Sequence, residues 1–156
     1  MDEEKLEGII KQIQRFLIQR DRCRSEVARY MERKRICRRD ETDAILEHLE
    51  QAELLDEERF ARNRVEYRIS QGYGPRYMEQ EFRRLRIAGE VIHAVLEIEE
   101  EVLLDAARRV LTRKRGSLRV EDPRELNEKL ARHLMSRGFS HQHTRRLLSG
   151  DLEALD

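Results

Sequence analysis

The sequence predicts an all-α fold of tandem three-helix repeats, elongated and curved, with about nine helices. Three observations predict it. Apolar residues recur at helical spacing along nearly the whole chain, the chain matches itself when shifted by about 51 residues, and large apolar side chains are too few for one big core. Charged residues make up 41% of the 156 residues and aromatics 5%, with no Trp. The 38% that are hydrophobic suffice for several small cores between short helices and separate the chain from a disordered one.

The first helix is read from Ile9, Ile13, Phe16 and Leu17, which share one face. A second carries Val27 and Met31 and leads to Ile36. A third carries Ile45 and Leu49, with Asp40 and Asp43 three residues apart as its start signal. The fourth places Phe60, Ala61, Val65 and Ile69 inward, and Asp56 before Glu57 and Glu58 suits the positive end of its dipole. Gly72-Tyr73-Gly74-Pro75 closes that helix and opens a fifth, where proline at the first position sacrifices no hydrogen bond. Met78 and Phe82 lie on the fifth, leading to Ile87, and Ile92 and Leu96 mark a sixth. Leu103, Ala106, Ala107, Val110 and Leu111 define a seventh, expected to stop at Gly116. Asp122-Pro123-Arg124-Glu125 has the capping-box spacing that opens an eighth, which carries Leu130 and Leu134 and stops at Gly138. Ser140 opens the ninth, with Thr144 and Leu148.

Val27, Met31 and Ile36 stand opposite Met78, Phe82 and Ile87, and a further shift of about 52 brings in Leu130, Leu134 and Phe139. Three units therefore share one apolar skeleton, and their expected bounds are 1–54, 55–98 and 99–156. Short connections make successive helices neighbours.

The formal charge is zero, but its distribution is uneven. Residues 21–40, 61–88 and 106–120 are net basic, and 41–60 and 89–105 net acidic. Basic zones on one side of a repeat array would steer a polyanion or an acidic protein groove. No apolar run reaches about 18 residues, and the start MDEEKLEG is unlike a signal peptide, so a cytoplasmic protein without a membrane span is expected. Cys23 and Cys37 lack a CxxC or a histidine pair nearby and read as reduced structural thiols.

Gly72-x-Gly74-Pro75 is no phosphate-cradling loop: a helix precedes it, no Gly-Lys-Ser/Thr follows, and proline removes a backbone donor. Its glycines instead allow positive φ and the close approach of two helices. His141 and His143 would point about 200° apart on a helix and share no metal site. His93 reads as a helix-surface residue, and Glu57-Glu58 and Glu99-Glu100-Glu101 sit where a helix dipole accounts for them. Neither a catalytic cluster nor a cofactor is expected. Arginine heavily outnumbers lysine, and its guanidinium fork suits phosphates and carboxylates alike. Each arginine could also pair within its helix, as Arg62 could with Glu66.

With those residues in place, the chain resembles the RecX family, bacterial regulators of the RecA recombinase. The family's central signature has an acidic residue, Phe-Ala, an Arg, Gly-x-Gly-Pro, and a Glu-Leu leading to Lys-Gly-Ile. It is answered here by Asp56, Phe60-Ala61, Arg68, Gly72-Tyr73-Gly74-Pro75, Glu81-Phe82 and Ile87. Arg24-Ser25-Glu26 in the first copy, and Leu130-Ala131 through Arg137-Gly138-Phe139-Ser140 in the third, extend the likeness over nearly the whole chain. Leu85-Arg86 departs from it, standing where the family has Lys-Gly, so a glycine helix stop is missing.

The resemblance implies a curved array of three-helix repeats lying in the groove of the RecA filament on DNA. Such a protein impedes filament extension or promotes disassembly, and so lowers ATP hydrolysis and strand exchange in recombination, DNA repair and the SOS response. It implies a regulator rather than an enzyme, expected as a monomer whose partners are the RecA filament and single- or double-stranded DNA. Arg64, Arg68, Arg76, Arg83 and Arg84 are the expected charged contacts. Phe60, Ala61, Gly72, Gly74, Pro75 and Ile87 are expected to be mostly structural. The alternative is a helix-turn-helix duplex-DNA binder, against which Pro75-Arg76-Tyr77-Met78 and Ser140-His141-Gln142 offer few base-reading side chains.

Overall fold

Nine α-helices and one short 3-10 turn make up the regular structure of the described residues, with no strand among them. A computed structural model describes the backbone of residues 1–153 and the side chains of residues 1–149, so the last residues of the expected third repeat lie outside it. The helices are α1 (Glu3–Gln19), α2 (Arg24–Lys34), α3 (Thr42–Gln51), α4 (Glu57–Ser70), α5 (Pro75–Arg84), α6 (Gly89–Val95), α7 (Glu100–Ser117), α8 (Pro123–Ser136) and α9 (His141–Glu153).

The chain folds as two compact units. One comprises residues 1–63 and 82–92, the other 64–81 and 93–156. In the first, Ile9 and Ile13 of α1, Val27 and Met31 of α2, and Ile45, Leu46 and Leu49 of α3 form a core closed by Leu55. In the second, Ala106, Ala107, Val110 and Leu111 of α7 pack with Leu130 and Leu134 of α8, Phe139, and Leu148 of α9. Phe60, Ala61, Met78, Phe82 and Ile87 are buried as well, as their helical spacing predicts.

Caps explain most of the helix starts. Asp56 accepts the Arg59 amide at 3.0 Å, Asp122 that of Arg124 at 3.1 Å, and Ser140 Oγ that of His143 at 3.1 Å. Each side chain satisfies a donor that the first helical turn leaves orphaned. Asp2 does the same for α1 through Lys5. Asp40 does not start α3: its side chain is 72% exposed, and a 3-10 turn over Arg39–Glu41 intervenes. There Glu41 takes over, accepting the Arg38 amide at 2.9 Å and pairing with Lys5 at 3.1 Å. The Arg38 amide, and next Lys5, hold its carboxyl below the ordinary value.

Five helix ends share one geometry. Arg35, Glu53, Gly72, Arg86 and Gly138 all have positive φ, between 52° and 94°. The residue after each donates its N–H five residues back: Ile36 to Met31, Leu54 to Leu49, Tyr73 to Arg68, Ile87 to Phe82, and Phe139 to Leu134. This is the Schellman stop, in which an apolar residue past the left-handed corner packs near one in the last turn. The matched positions Met31, Phe82 and Leu134, and Ile36, Ile87 and Phe139, are thus the two ends of one repeated corner. The missing glycine at Arg86 did not cost the corner: the φ of 57° is taken by an arginine instead. Gly116, by contrast, is not a stop. α7 runs through it to Ser117 and ends in extended Leu118 without a left-handed residue.

The two signature glycines do different jobs. Gly72 takes φ +84 at the end of α4, whereas a Cβ on Gly74 would lie 2.6 Å from the carbonyl of Gly138. That approach lets Gly74 N–H donate to Arg137 O at 2.7 Å and Arg76 N–H to Gly138 O at 3.0 Å. Pro75 has no N–H to satisfy, so the α8–α9 corner caps α5 with backbone carbonyls.

Candidate functional site

Of the five arginines expected to make charged contacts, Arg64 and Arg68 turn to one carboxylate. Arg68 donates to Glu81 through Nη2 at 2.6 Å and Nε at 3.0 Å, and Arg64 Nε lies 3.9 Å from the same side chain. The Arg68 guanidinium also lies 5.6 to 5.7 Å from the rings of Tyr67, Tyr73 and Tyr77, within cation–π range. The hydrogen bonds to Glu81 raise its already high pKa. A bidentate pair at about one-fifth exposure is a positioning device, tying the end of α4 to α5 within the second unit. Tyr73 stacks on Tyr77 at 4.0 Å, and Arg137 lies over Tyr73 at 4.1 Å. Arg76 is exposed nearby on the first turn of α5.

Arg83 and Arg84 are exposed at the other end of α5, in the first unit. Arg84 lines an open cleft of about 750 Å³ together with Arg24, Arg29, Arg35, Arg39 and Arg86. Three elements bring these cations together. α2 and the corner that ends it supply Arg24, Arg29 and Arg35, the turn before α3 supplies Arg39, and α5 with the corner that ends it supplies Arg84 and Arg86. Ser25 Oγ donates to Leu85 O at 2.6 Å, fixing α2 against the end of α5. Arg24 is partly neutralised, with Nη1 2.6 Å from Glu50 and its amide donating to Glu57 at 3.1 Å. Burial, with Glu50 adding to it, pushes the Glu57 carboxyl above its ordinary value.

Arg35 and Arg86 line this cleft at left-handed φ of 52° and 57°, a backbone state that costs an ordinary residue about 1 kcal/mol. Their placement follows from the Schellman corner, which sends the side chain at that position away from the helix it ends. Arg24, Arg29, Arg35, Arg39 and Arg86 belong to the arginine-rich stretches of the sequence but are not among the five arginines expected to make the charged contacts. The 51-residue spacing that aligns Arg35 with Arg86 was the signal that could have found two of them. Phe60, Ala61 and Ile87 are buried, Gly72 and Gly74 form the corner, and Pro75 opens α5. Among the described residues no group of three His, Cys, Asp or Glu could hold a metal ion, and no helix is long and apolar enough to cross a membrane. Arg62 pairs with Glu58, one turn back, instead of Glu66.

The fold and the cleft define an all-helical repeat protein with an arginine-rich cleft, which Glu32 and Asp43 also line. Comparison with known proteins gives it a family. The second three-helix domain of RecX matches residues 56–96 and the third matches residues 100–148. The regulatory protein RecX of Halorhodospira halophila is 37% identical over 135 residues, which covers 84% of this chain and 80% of that protein. The regulatory protein RecX of Haemophilus ducreyi is 31% identical over 116 residues, 72% of this chain and 74% of that one. The chain belongs to the RecX family of regulatory proteins. Among solved structures, a regulatory protein RecX superposes with a TM-score of 0.79 at 19% identity, covering 94% of this chain and 72% of its own. RecX from Lactobacillus salivarius gives 0.79 at 16% identity, covering 97% and 98%. At that identity the likeness is one of fold.

Proposed function

We propose that this protein binds the RecA recombinase filament on DNA and lowers its activity, by impeding extension or promoting disassembly, without catalysing a reaction itself. The observation that carries the reading is the cleft of the first unit, where six guanidiniums converge. Two of them stand at left-handed corners whose side chains line the cleft. Arginine forks bind carboxylate and phosphate edges bidentately, so such a cleft suits an acidic protein face beside a nucleic-acid backbone. A repeat protein that engages several filament subunits gains affinity by multivalency while taking up space that a second strand needs. Of the residues proposed from sequence, Arg84 belongs to this cleft, and Arg76 and Arg83 are exposed candidates at either end of α5. Arg64 and Arg68 serve the reading by holding that helix through Glu81.

The test is ATP hydrolysis by the cognate RecA on single-stranded DNA, with this protein titrated in at two salt concentrations. A dose-dependent loss that weakens at higher salt is expected. The variant Arg84→Glu/Arg86→Glu should raise the half-inhibiting concentration about tenfold or more, as loss of charge-assisted bonds worth about 1.5–3 kcal/mol each requires. No inhibition by folded protein at either salt overturns the reading.

A further inference from the structure

The second unit holds a separate cavity of about 390 Å³, lined along α7 by Arg109, Arg113, Lys114 and Ser117 and along α8 by His133 and Arg137. Among the described residues no Asp or Glu lines it, and residues 106–120 contain no acidic residue. Among the described residues none of Arg109, Arg113 and Lys114 has an ion pair. Arg109 and Arg113 are four residues apart on α7, an arrangement of like charges that costs an isolated helix a few tenths of a kcal/mol. On a solvated helix of a protein with a formal charge of zero, such cations usually find carboxylates. Here three helical cations, a histidine and an arginine face one hollow, and among the described residues no carboxylate pairs with the three cations of α7.

The hollow is firmly built. Arg137 forms its far wall, donating to Gly72 O at 3.2 Å and Gln71 O at 2.7 Å. The apolar floor is Ile69, Ala106 and Val110, of which Val110 would contact any side chain placed on Gly72. Burial, then the positive charges of Lys114 and Arg137, push the His133 imidazole below its ordinary pKa. An anion seated among those groups would oppose the part of that effect that comes from Lys114 and Arg137.

We propose that this cavity is a binding site for a phosphoryl group, with Arg109 and Arg113 supplying bidentate forks and Lys114 a point charge. Guanidinium pairs favour tetrahedral oxyanions with several acceptor edges, and a cavity of this size admits a phosphate together with the sugar that carries it. The group could arrive on a free nucleotide or on a nucleic-acid backbone, and the chemistry of the site is common to both. The proposal stands apart from the recombinase reading, because it concerns other residues and is tested without the recombinase.

The test follows the His133 ring protons by NMR through a pH titration of the full chain. The titration is done alone, with inorganic phosphate, with thymidine 5′-monophosphate, and with a single-stranded thymidine oligomer, all against sodium chloride of matched ionic strength. Saturable binding that raises the His133 pKa is expected. In the variant Arg109→Gln/Arg113→Gln, both side chains being exposed on α7, the affinity should fall about tenfold or more with the folded spectrum unchanged. Saturation by the oligomer at far lower concentration than by the monophosphate identifies a backbone site. Saturation by phosphate and the monophosphate alone identifies a free phosphoryl compound. A His133 titration that moves no more with any of the three than with chloride, or moves equally in the double variant, overturns the proposal.

Discussion

Replacing Gly138 with alanine tests whether the α8–α9 corner caps α5 as described. The φ of +94° at Gly138 costs a residue with a Cβ about 1–2 kcal/mol. The added Cβ would lie 2.5 Å from Tyr77 N and 2.7 Å from Tyr77 Cβ, so the corner must withdraw from the start of α5. With it go the hydrogen bonds Gly74 N–H to Arg137 O and Arg76 N–H to Gly138 O, each worth about 1 kcal/mol net. The expected loss is therefore about 3–4 kcal/mol, at the damaging end for a single substitution. Gly116→Ala is the control in the same unit: that glycine is helical with nothing within 4 Å of a built Cβ, and the change should gain a few tenths to about 1 kcal/mol. Urea denaturation followed by circular dichroism reads both. With a slope of about 2 kcal/mol per molar urea, Gly138→Ala should lower the midpoint by about 1.5–2 M, while Gly116→Ala raises it by up to about 0.5 M. A Gly138→Ala midpoint within about 0.3 M of the parent, or equal damage from both changes, would refute the reasoning.

At the other corners the sign should reverse. Arg35→Gly and Arg86→Gly, relieved of left-handed φ, should each stabilise by about 0.5–1 kcal/mol in the same denaturation while weakening the proposed inhibition of the recombinase, so that stability and inhibition would move in opposite directions. Glu41, held below its ordinary pKa by the Arg38 amide and Lys5, contributes stability above the ordinary carboxylate value near 4.5. That contribution is lost as pH falls through the lower folded value, so Glu41→Gln should be less stable at neutral pH and show a shallower acid limb in thermal melts from pH 7 to 3. Cys23 is fully buried with its thiol pushed up by burial, whereas Cys37 is half-buried and lines the arginine cleft. A thiol-reactive dye should label Cys37 much faster, and a filament that occupies the cleft should protect it; equal rates would contradict the burial argument.

The nine helices of the described residues, their order and their inward faces were legible because each rests on a local period: Ile9 with Ile13, Ala61 with Val65, Leu130 with Leu134. The caps at Asp56, Asp122 and Ser140 were legible for the same reason, since each bond spans two or three residues. What stayed hidden depends on residues far apart in sequence. Glu41 displaced Asp40 as a cap because Lys5, 36 positions away, is there to pair with it. Arg68 turns inward because Glu81, 13 residues on, offers two oxygens and three tyrosines surround it. The cleft gathers cations from α2, the turn before α3 and the end of α5, which no window of contiguous residues contains. Gly116 misled for the opposite reason: glycine permits a stop without requiring one, and the contacts of a stop are absent there.

The repeated corners carry a consequence for how this chain can vary. A Schellman stop is specified by the backbone and by the apolar pair that brackets it, so the residue at the bend itself is held only by its φ. Where the bend faces solvent, as at positions 35 and 86, its side chain can be exchanged for a modest strain without moving a helix. Where the bend is pressed against another backbone, as at 138, nothing larger than a hydrogen fits. The same joint is thus an adjustable mount for a charged group in one place and a locked rivet in another. Binding character can be tuned at the first kind of corner, while the second keeps the frame in register.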